Sequence, residues 1–288
     1  MSATSLTWGG RSIPGPGGLP AVAVSLTGPS LAQARTQARS AVVAGADVLE
    51  LRVDLLEEAG ALAAPDPLDA ATAAAQVLEC LRGLGEAIAA DGADAGAPVL
   101  LTCRTTAEGG RGQLDDASYG ALLRSVLDGL TDWAPERRPV AIDVEVQRGC
   151  LPQVCEQAHG LGIDVVASFH DFETTPADEV LEEVLARMAR EGADLAKIAV
   201  WPTSADDVAR LLGVCARATA GTGEAAALDV PVAAMSMGAL GAVSRVAPAF
   251  GSALTFAVVP DEQGQARASA PGQLPIQDVR RCLELLRA

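Results

Sequence analysis

Two patterns of apolar and polar residues follow one another repeatedly along the chain. Short runs rich in Val, Ile, Leu and Ala indicate buried strands, and the segments between them carry apolar residues at helical spacing. The predicted strands are AVAVSL (21–26), VLELRVD (48–54), PVLLTCR (98–104), VAIDVEV (140–146), IDVVASFH (163–170), LAKIAVW (195–201), VPVAAMSM (230–237) and ALTFAVV (253–259). The predicted helices include 30–44, 66–90, 115–130, 176–190, 203–217 and 276–287.

The order of these elements predicts the fold. Eight strands that alternate with helical segments are typical of an α/β protein with a single-domain (β/α)8 TIM barrel, and they fit an open doubly wound sheet less well. No GxGxxG or Walker-type loop is found, which further disfavours a nucleotide-binding sheet. Residues 1–18 are rich in Gly, Pro and Ser and show no period. We therefore expect a flexible N-terminal segment over 1–18 and the barrel domain over 19–288.

Composition and charge narrow the possible partners. The net charge of −16 argues against nucleic acid or an anionic membrane surface, so an anionic small molecule would need a local cluster of arginines. The six cysteines form no CxxC pair and no zinc-like spacing with histidine, which predicts reduced thiols and no metal site. Because neither a signal peptide nor an apolar stretch of about 20 residues is found, we expect a cytoplasmic protein.

Charged and polar residues occur near the ends of consecutive predicted strands. Glu50, Arg52 and Asp54 alternate along the second strand, so their side chains share one face. The strands that follow contribute Arg104 with Glu108 in the next loop, Asp143 and Glu145, His170 and Asp171, and Lys197. Since an unpaired buried charge is costly, these groups either form a structural ion-pair network or face a ligand. Their recurrence on consecutive strands favours a ligand site at the carboxyl ends, where barrel enzymes place reactive residues.

Lys197 is the only lysine, against twenty arginines among the 21 basic residues. A long side chain can reach the strand end and pair with a carboxylate, but arginine serves that purpose elsewhere in this chain. Lysine offers a primary amine that can lose its proton and attack a carbonyl carbon. Burial beside cations, for which Arg52, Arg104 and Arg245 are the candidates, disfavours the charged form of such an amine. The working hypothesis is a Schiff-base lysine.

The two histidines differ in their setting. His159 lies in a helix-like segment that ends at Gly160, where we expect a surface or C-cap role. His170 ends the fifth predicted strand, directly before the strand of Lys197, so the two side chains should be neighbours at the barrel mouth. An imidazole transfers protons near neutral pH. Together with the amine it suggests carbonyl activation with proton abstraction at the adjacent carbon.

Eight motifs occur in order along the chain: ELRVD, LLTCRTTAEGG, IDVEV, ASFHDFETTP, AKIAVWP, MSMGALGAVSR, FGSALTFA and SAPGQ. Together they resemble the type I 3-dehydroquinate dehydratase family, the Schiff-base enzymes of the shikimate pathway of aromatic amino acid biosynthesis. The resemblance implies a (β/α)8 barrel, a homodimer, and no metal or organic cofactor. It leaves open whether the chain serves biosynthesis or quinate catabolism.

The resemblance also implies a role for each matched residue. Lys197 would form an imine with the C3 ketone of 3-dehydroquinate. His170 would take a proton from C2 and return one to the departing C1 hydroxyl, a syn loss of water that yields 3-dehydroshikimate. Glu108 matches the glutamate that holds this histidine. The matched substrate-binding residues are Glu50, Arg52 and Arg104 for the ring hydroxyls, Arg245, Ser269 and Gln273 for the carboxylate, Met237 and Phe256 for the pocket walls, and Ser25 for a further polar contact.

The segment 260–273 is small, polar and Gly-rich, and we expect it to close as a lid over the substrate carboxylate. An ordinary mobile loop is the alternative. Two other functions also remain open. A class I aldolase would use Lys197 in the same way, but it would need neither the His170–Glu108 pair nor the SAPGQ segment. A catalytically silent ligand-binding barrel would keep the pocket without needing any of these reactive groups.

Overall fold

The computed structural model describes residues 4–63, 69–90, 97–220, 227–260 and 267–287. In chain order the strands are β1 (Leu6–Trp8), β2 (Arg11–Ile13), β3 (Ala21–Leu26), β4 (Val48–Arg52), β5 (Val99–Thr102), β6 (Ala141–Glu145), β7 (Asp164–Asp171), β8 (Leu195–Val200), β9 (Val232–Ser236) and β10 (Leu254–Ala257). The α-helices are α1 (Leu31–Val43), α2 (Ala70–Ala90), α3 (Asp116–Leu130), α4 (Leu151–Gly160), α5 (Asp178–Arg190), α6 (Ala205–Ala220) and α7 (Ile276–Leu285).

Strands β3 to β10 form one parallel sheet in the order β10-β3-β4-β5-β6-β7-β8-β9. The two ends of the sheet meet where the backbone N–H of Ala253, just before β10, donates to the carbonyl oxygen of Val232 in β9 at 2.7 Å. The sheet is thereby nearly closed into a barrel. All eight predicted strands are present, so the prediction of a (β/α)8 TIM barrel is confirmed.

The helices follow the predicted pattern with one exception. Asp115 caps α3 by accepting a hydrogen bond from the Ser118 N–H at 2.7 Å, as its position before an apolar-periodic segment predicts. After β9, however, the chain forms two short 3-10 turns, Ala242–Val246 and Pro248–Phe250, in place of an α-helix. A proline opens the second turn and Gly251, with φ of 84°, ends it, so helical geometry is not propagated.

The N-terminal residues do not form the flexible segment expected from their composition. Strands β1 and β2 pair as an antiparallel hairpin through Gly9 and Gly10, whose φ angles of 54° and 78° suit a tight two-residue turn. Trp8 and Ile13 are buried against the barrel interior, and the Trp8 indole N–H donates to Asp164 at 2.7 Å. The sequence contained this signal, two glycines between short strands, but the surrounding Gly, Pro and Ser obscured it. Residues 1–3 lie outside the described residues.

The interior of the barrel changes from apolar to polar along its axis. Six strands each carry an apolar, buried and inward-facing residue in the lower layer of the barrel: Ala23, Val48, Leu100, Ala141, Val166 and Leu195. Two residues further along the same strands, where side chains face the same side, are the buried residues Ser25, Glu50, Thr102, Asp143, Ser168 and Lys197. The polar side chains therefore collect towards the carboxyl ends of the strands, which is where a barrel site is expected.

No helix among the described residues is both long enough and apolar enough to cross a membrane.

Candidate active site

Lys197 is buried within β8, and carboxylates face its amine. Nζ donates to Asp143 Oδ2 at 2.8 Å and lies 3.9 Å from Glu50 Oε1. It also lies 4.9 Å from the centroid of the Phe256 ring. The arginine neighbours expected from the sequence are thus not the groups in contact with Nζ. The amine is held in a fixed position, with two anions and one aromatic face around it.

Asp143 and Arg104 form the centre of a buried charge network. Arg104 Nη2 donates to Asp143 Oδ1 at 2.7 Å. Burial by itself would raise the pKa of Asp143, but Arg104 and Lys197 outweigh burial and lower that pKa to about 2. Burial would likewise lower the pKa of Arg104, but the surrounding carboxylates outweigh it and raise that pKa well above the ordinary value. Both groups are therefore charged at neutral pH, and the anion is in contact with Lys197.

His170 and Glu108 form a hydrogen-bonded pair in the layer above the amine. His170 lies opposite Ala199 in the β7–β8 register, two residues or about 7 Å beyond the level of Lys197. Its Nδ1 lies 2.8 Å from Glu108 Oε2, and its Nε2 has no hydrogen-bond partner among the described residues.

Burial disfavours the charged form of both members of this pair. Burial, assisted by the positive charges of Arg104 and Lys197, lowers the pKa of His170 well below its ordinary value. Burial also raises the pKa of Glu108 to about 8. The imidazole is therefore neutral at physiological pH, which is the form that can accept a proton.

Glu108 reaches His170 from a short turn after β5. The 3-10 turn Thr106–Glu108 ends at Gly109, whose φ of 78° favours glycine. A Cβ at Gly109 would also overlap the ring of Phe172, so both the backbone angle and the available space require glycine here. This turn fixes the Glu108 carboxylate against the imidazole.

Arg52 is held rigidly at the end of β4. Its Nε and Nη2 donate to the two oxygens of Asp54, each at 2.8 Å, in the bidentate geometry that orients a guanidinium most strongly. The same carboxylate accepts the backbone N–H groups of Arg104 and Arg111, each at 3.2 Å. Asp54 thus connects β4 to the loop that carries Glu108.

Arg245 differs from the other buried cations of the site. It is 2% exposed, and its hydrogen bonds in the described part of the chain go to the carbonyl oxygens of Phe256 at 3.5 Å and Pro271 at 3.2 Å. Its Nε has no partner. Burial lowers the pKa of Arg245 to about 10, yet the side chain remains charged at neutral pH. A buried guanidinium without a carboxylate is suited to bind an anionic ligand group.

The end of the segment after β10 lies against this arginine and against β3. Gln273 Nε2 donates to Ser269 Oγ at 3.0 Å, and Ser269 Oγ donates to Ser25 Oγ at 2.8 Å. The Ser25 hydroxyl also contacts Glu50. Of the predicted lid 260–273, the stretch 261–266 lies outside the described residues.

A cleft with an empty volume of about 480 Å³, open to solvent, lies between these groups. It is lined by Glu50, Arg52, Arg104, Gly109, His170, Phe172, Lys197, Ala199, Met235, Arg245, Phe256, Ser269, Ala270 and Gln273. Nine of the twelve residues to which the resemblance gives a role line this cleft. Glu108 and Ser25 do not line the cleft but contact residues that do. Glu108 contacts His170, and Ser25 contacts Ser269 and Glu50.

Met237, predicted as a pocket wall, is the remaining residue, and it does not line this cleft. Met237 follows β9, where its backbone N–H bonds to the Val200 carbonyl at 2.8 Å, and its side chain is fully buried. Met235 forms the wall instead. Both methionines occupy inward positions of the same alternation, so the pattern alone does not distinguish them. Phe172, two residues after His170, was also missed, although it shares the same alternation.

The described residues contain no group of three or more His, Cys, Asp or Glu side chains arranged to hold a metal ion. The site offers groups suited to nucleophilic attack, proton transfer and anion binding. It combines a buried amine, a neutral imidazole held by a carboxylate, and an unpaired guanidinium around one cleft.

Comparison with known proteins agrees with this arrangement. Residues 22–288 match the family model of type I 3-dehydroquinase. The chain is 36% identical to a 3-dehydroquinate dehydratase of Klebsiella pneumoniae over 269 residues, which cover 92% of each chain. It is 35% identical to that of Bacillus licheniformis over 273 residues, 93% of each chain.

Solved structures give the same result. The crystal structure of 3-dehydroquinate dehydratase from Geobacillus kaustophilus superposes with a TM-score of 0.79 at 29% identity, covering 98% of this chain and 96% of that one. The type I enzyme of Clostridium difficile, solved with covalently modified comenic acid, also gives 0.79, at 28% identity and 98% coverage of both chains. Family model, relatives and fold thus agree over nearly the whole sequence, and the chain belongs to the type I 3-dehydroquinase family.

Proposed function

We propose that this chain is a hydro-lyase that converts 3-dehydroquinate to 3-dehydroshikimate by syn elimination of water through a Schiff base on Lys197. The observation that carries the proposal is the position of the only lysine. Its Nζ lies within the cleft beside Asp143, one layer below the His170–Glu108 pair. The 3-dehydroquinate dehydratases to which the chain is similar support this choice of substrate.

The first step is formation of the iminium ion. After Lys197 has given up a proton, its nitrogen attacks the C3 carbonyl carbon of the substrate, and return of that proton as the adduct loses water leaves a protonated C=N bond. Asp143, fully buried and negatively charged, lies 2.8 Å from Nζ and stabilises the positive charge that develops on nitrogen. An anion already fixed in place needs no reorganisation when that charge appears.

The second step is the elimination itself. His170 Nε2 takes a proton from C2, and the electron pair of the broken C–H bond moves into the iminium to give an enamine. The enamine then expels the C1 hydroxyl, which leaves as water after receiving the proton from His170. Hydrolysis of the conjugated iminium releases the product and restores the Lys197 amine. Glu108, at 2.8 Å from Nδ1, orients the imidazole and stabilises its charged form during transfer.

The remaining residues bind and orient the substrate. Arg245 carries the unpaired positive charge of the site, and we assign it to the substrate carboxylate together with Ser269 and Gln273. Glu50, Arg52 and Arg104 also line the cleft and are assigned to the ring hydroxyls. Phe256 and Met235 supply the apolar walls of the cleft.

The proposal is tested by the absorbance of the conjugated product after 3-dehydroquinate is added to the purified protein. We expect turnover by the wild type and its loss in Lys197→Ala. The matched control is Asp164→Asn, because Asp164 is a half-buried carboxylate that holds Trp8 in the N-terminal hairpin, away from the cleft. Lack of activity in the wild type would overturn the proposal, and so would full activity in Lys197→Ala.

A homodimeric state and a cytoplasmic location stay predictions. Sedimentation equilibrium of the purified chain tests the first, and fractionation of the source cells tests the second.

A further inference from the structure

A carboxylate of β6, Glu145, is fully buried beside the cleft without lining it. Its Oε1 accepts hydrogen bonds from Arg104 Nη1 at 3.1 Å and from the Thr105 backbone N–H at 2.7 Å. Its Oε2 accepts from Thr105 Oγ1 at 2.7 Å and from Arg148 Nε at 3.0 Å. One side chain thus receives four donors, and of the residues that supply them only Arg104 lines the cleft.

These contacts determine where the Glu108 turn begins. Thr105 is the residue from which the 3-10 turn Thr106–Glu108 starts, and Glu145 holds both its backbone and its hydroxyl. Arg104 Nη1 lies within hydrogen-bond distance of Ser168 Oγ at 2.9 Å, Glu145 Oε1 at 3.1 Å and Glu108 Oε2 at 3.3 Å. Glu145 therefore controls how closely Arg104 approaches the same Glu108 oxygen that holds His170.

The donor pattern requires a carboxylate at this position. A carboxylate presents only acceptors, whereas a glutamine of the same shape presents one acceptor and one donor group. Because each Glu145 oxygen already faces two donors, either orientation of a glutamine would place an amide N–H against N–H or O–H groups. A fully buried anion is costly to retain unless its contacts compensate.

We propose that Glu145 is a positioning residue of the dehydration reaction. It fixes the Arg104–Glu108 segment so that Glu108 holds His170, and its negative charge tunes the proton affinity of the Glu108–His170 pair. The inference rests on the proposed function, because it assigns to Glu145 an effect on that function's proton-transfer step.

The charges around Glu108 give the direction in which Glu145 changes the proton affinity of the Glu108–His170 pair. The charged and titratable groups around Glu108 are Arg104 from its own loop, Asp143 and Glu145 from β6, His170 from β7 and Lys197 from β8. Burial is the main reason that the pKa of Glu108 is raised to about 8, Arg104 opposes it, and Glu145 adds to it. Removing the negative charge of Glu145 leaves the lowering effect of Arg104 on the pKa of Glu108 less opposed. The Glu108–His170 pair should therefore lose its proton at lower pH.

The test is the pH dependence of kcat and kcat/KM for 3-dehydroquinate dehydration in three variants. Glu145→Gln should lower kcat about 100-fold, the loss expected for a misplacement of about 1 Å. In the pH profile of kcat/KM, the acid limb of Glu145→Gln should also lie about 1 pH unit lower than that of the wild type. Arg148→Met removes a cation from the far side of Glu145 and should move the limb to higher pH, with a smaller loss of kcat. Asp164→Asn should leave the limb in place.

Each outcome decides between positioning and a merely structural role. A limb that stays at its wild-type pH in Glu145→Gln and Arg148→Met, even with reduced activity, overturns the inference, and so does wild-type kcat in Glu145→Gln. If Glu145→Gln does not fold, Arg148→Met decides, since a shift to higher pH supports the inference and an unmoved limb overturns it. Failure of the proposed function is distinguishable, because it appears as an inactive wild type before any variant is compared.

Discussion

Replacing Arg245 with methionine should stabilise the free protein while impairing substrate binding. Arg245 is 2% exposed, and in the described part of the chain it has two carbonyl partners, at 3.2 and 3.5 Å, and no carboxylate. Its Nε has no hydrogen-bond partner among the described residues. No carboxylate among the described residues neutralises this buried charge, so a bound ligand anion is suited to do so.

The size of the effect follows from its pKa. Burial lowers the pKa of Arg245 from 12.5 to about 10, which corresponds to a cost of about 3 kcal/mol to the folded state. Because this pKa is lower in the folded than in the unfolded protein, the cost applies at all pH values below about 10, including neutral pH. Losing two long hydrogen bonds offsets about 1 kcal/mol of the gain. Arg245→Met should thus raise the free energy of unfolding by about 2 kcal/mol.

The assay combines urea unfolding, followed by far-UV circular dichroism, with steady-state kinetics. Arg245→Met should unfold at higher urea than the wild type and show a KM raised about 100-fold, since it removes one partner of a buried ion pair in the complex. The matched control is Arg138→Met, at a half-buried arginine whose three donors satisfy the carbonyl oxygens of Leu130, Thr131 and Leu161. This control should be destabilised without a change in KM. Lower stability of Arg245→Met, combined with a wild-type KM, would refute the reasoning.

Three further predictions concern the Glu108–His170 pair, the Asp143 carboxylate beside Lys197, and Gly272. In the wild type, kcat/KM should rise with pH through about 8, because Glu108 must lose its proton before its negative charge can stabilise the imidazolium that His170 forms on taking the substrate proton; a flat profile between about pH 6 and 9 would contradict this. Asp143→Asn should lower kcat about 100-fold in steady-state assays, since it removes the charge 2.8 Å from Lys197 Nζ, and an unchanged kcat would exclude that role. Gly272→Ala should raise KM about tenfold or more, because its Cβ would overlap the carbonyl of Gly238 and displace the neighbouring Gln273, whereas a wild-type KM would show that this contact is not needed.

The barrel could be predicted because its determinants are local. Each strand is a short apolar run, and alternation within a run decides which side chains face inward. Lys197 and His170 stood out for chemical reasons that need no structure, as the only lysine and as a histidine at a strand end. Their placement on neighbouring strands, in adjacent layers, follows from the same alternation.

The contacts between these residues could not be predicted, because they depend on register across the barrel. Asp143 in β6 reaches Lys197 in β8 across the inward side of β7, so no single strand shows that an anion, rather than an arginine, meets the amine. Glu145 and Asp54 were recognised as polar residues in strands, but their function lies in loop backbone N–H groups that a sequence does not locate.

Reduction with borohydride in the presence of 3-dehydroquinate tests the central claim most directly. Borohydride converts the imine to a stable secondary amine, and with only one lysine in the chain the covalent adduct has one side-chain position to occupy. Peptide mass analysis distinguishes that position from the N-terminal amine. We predict an inactivated protein with one reduced substrate molecule on the peptide that contains Lys197, and none on Lys197→Ala. An inactivated protein without an adduct, or an adduct elsewhere, would contradict the assignment of Lys197 as the Schiff-base residue.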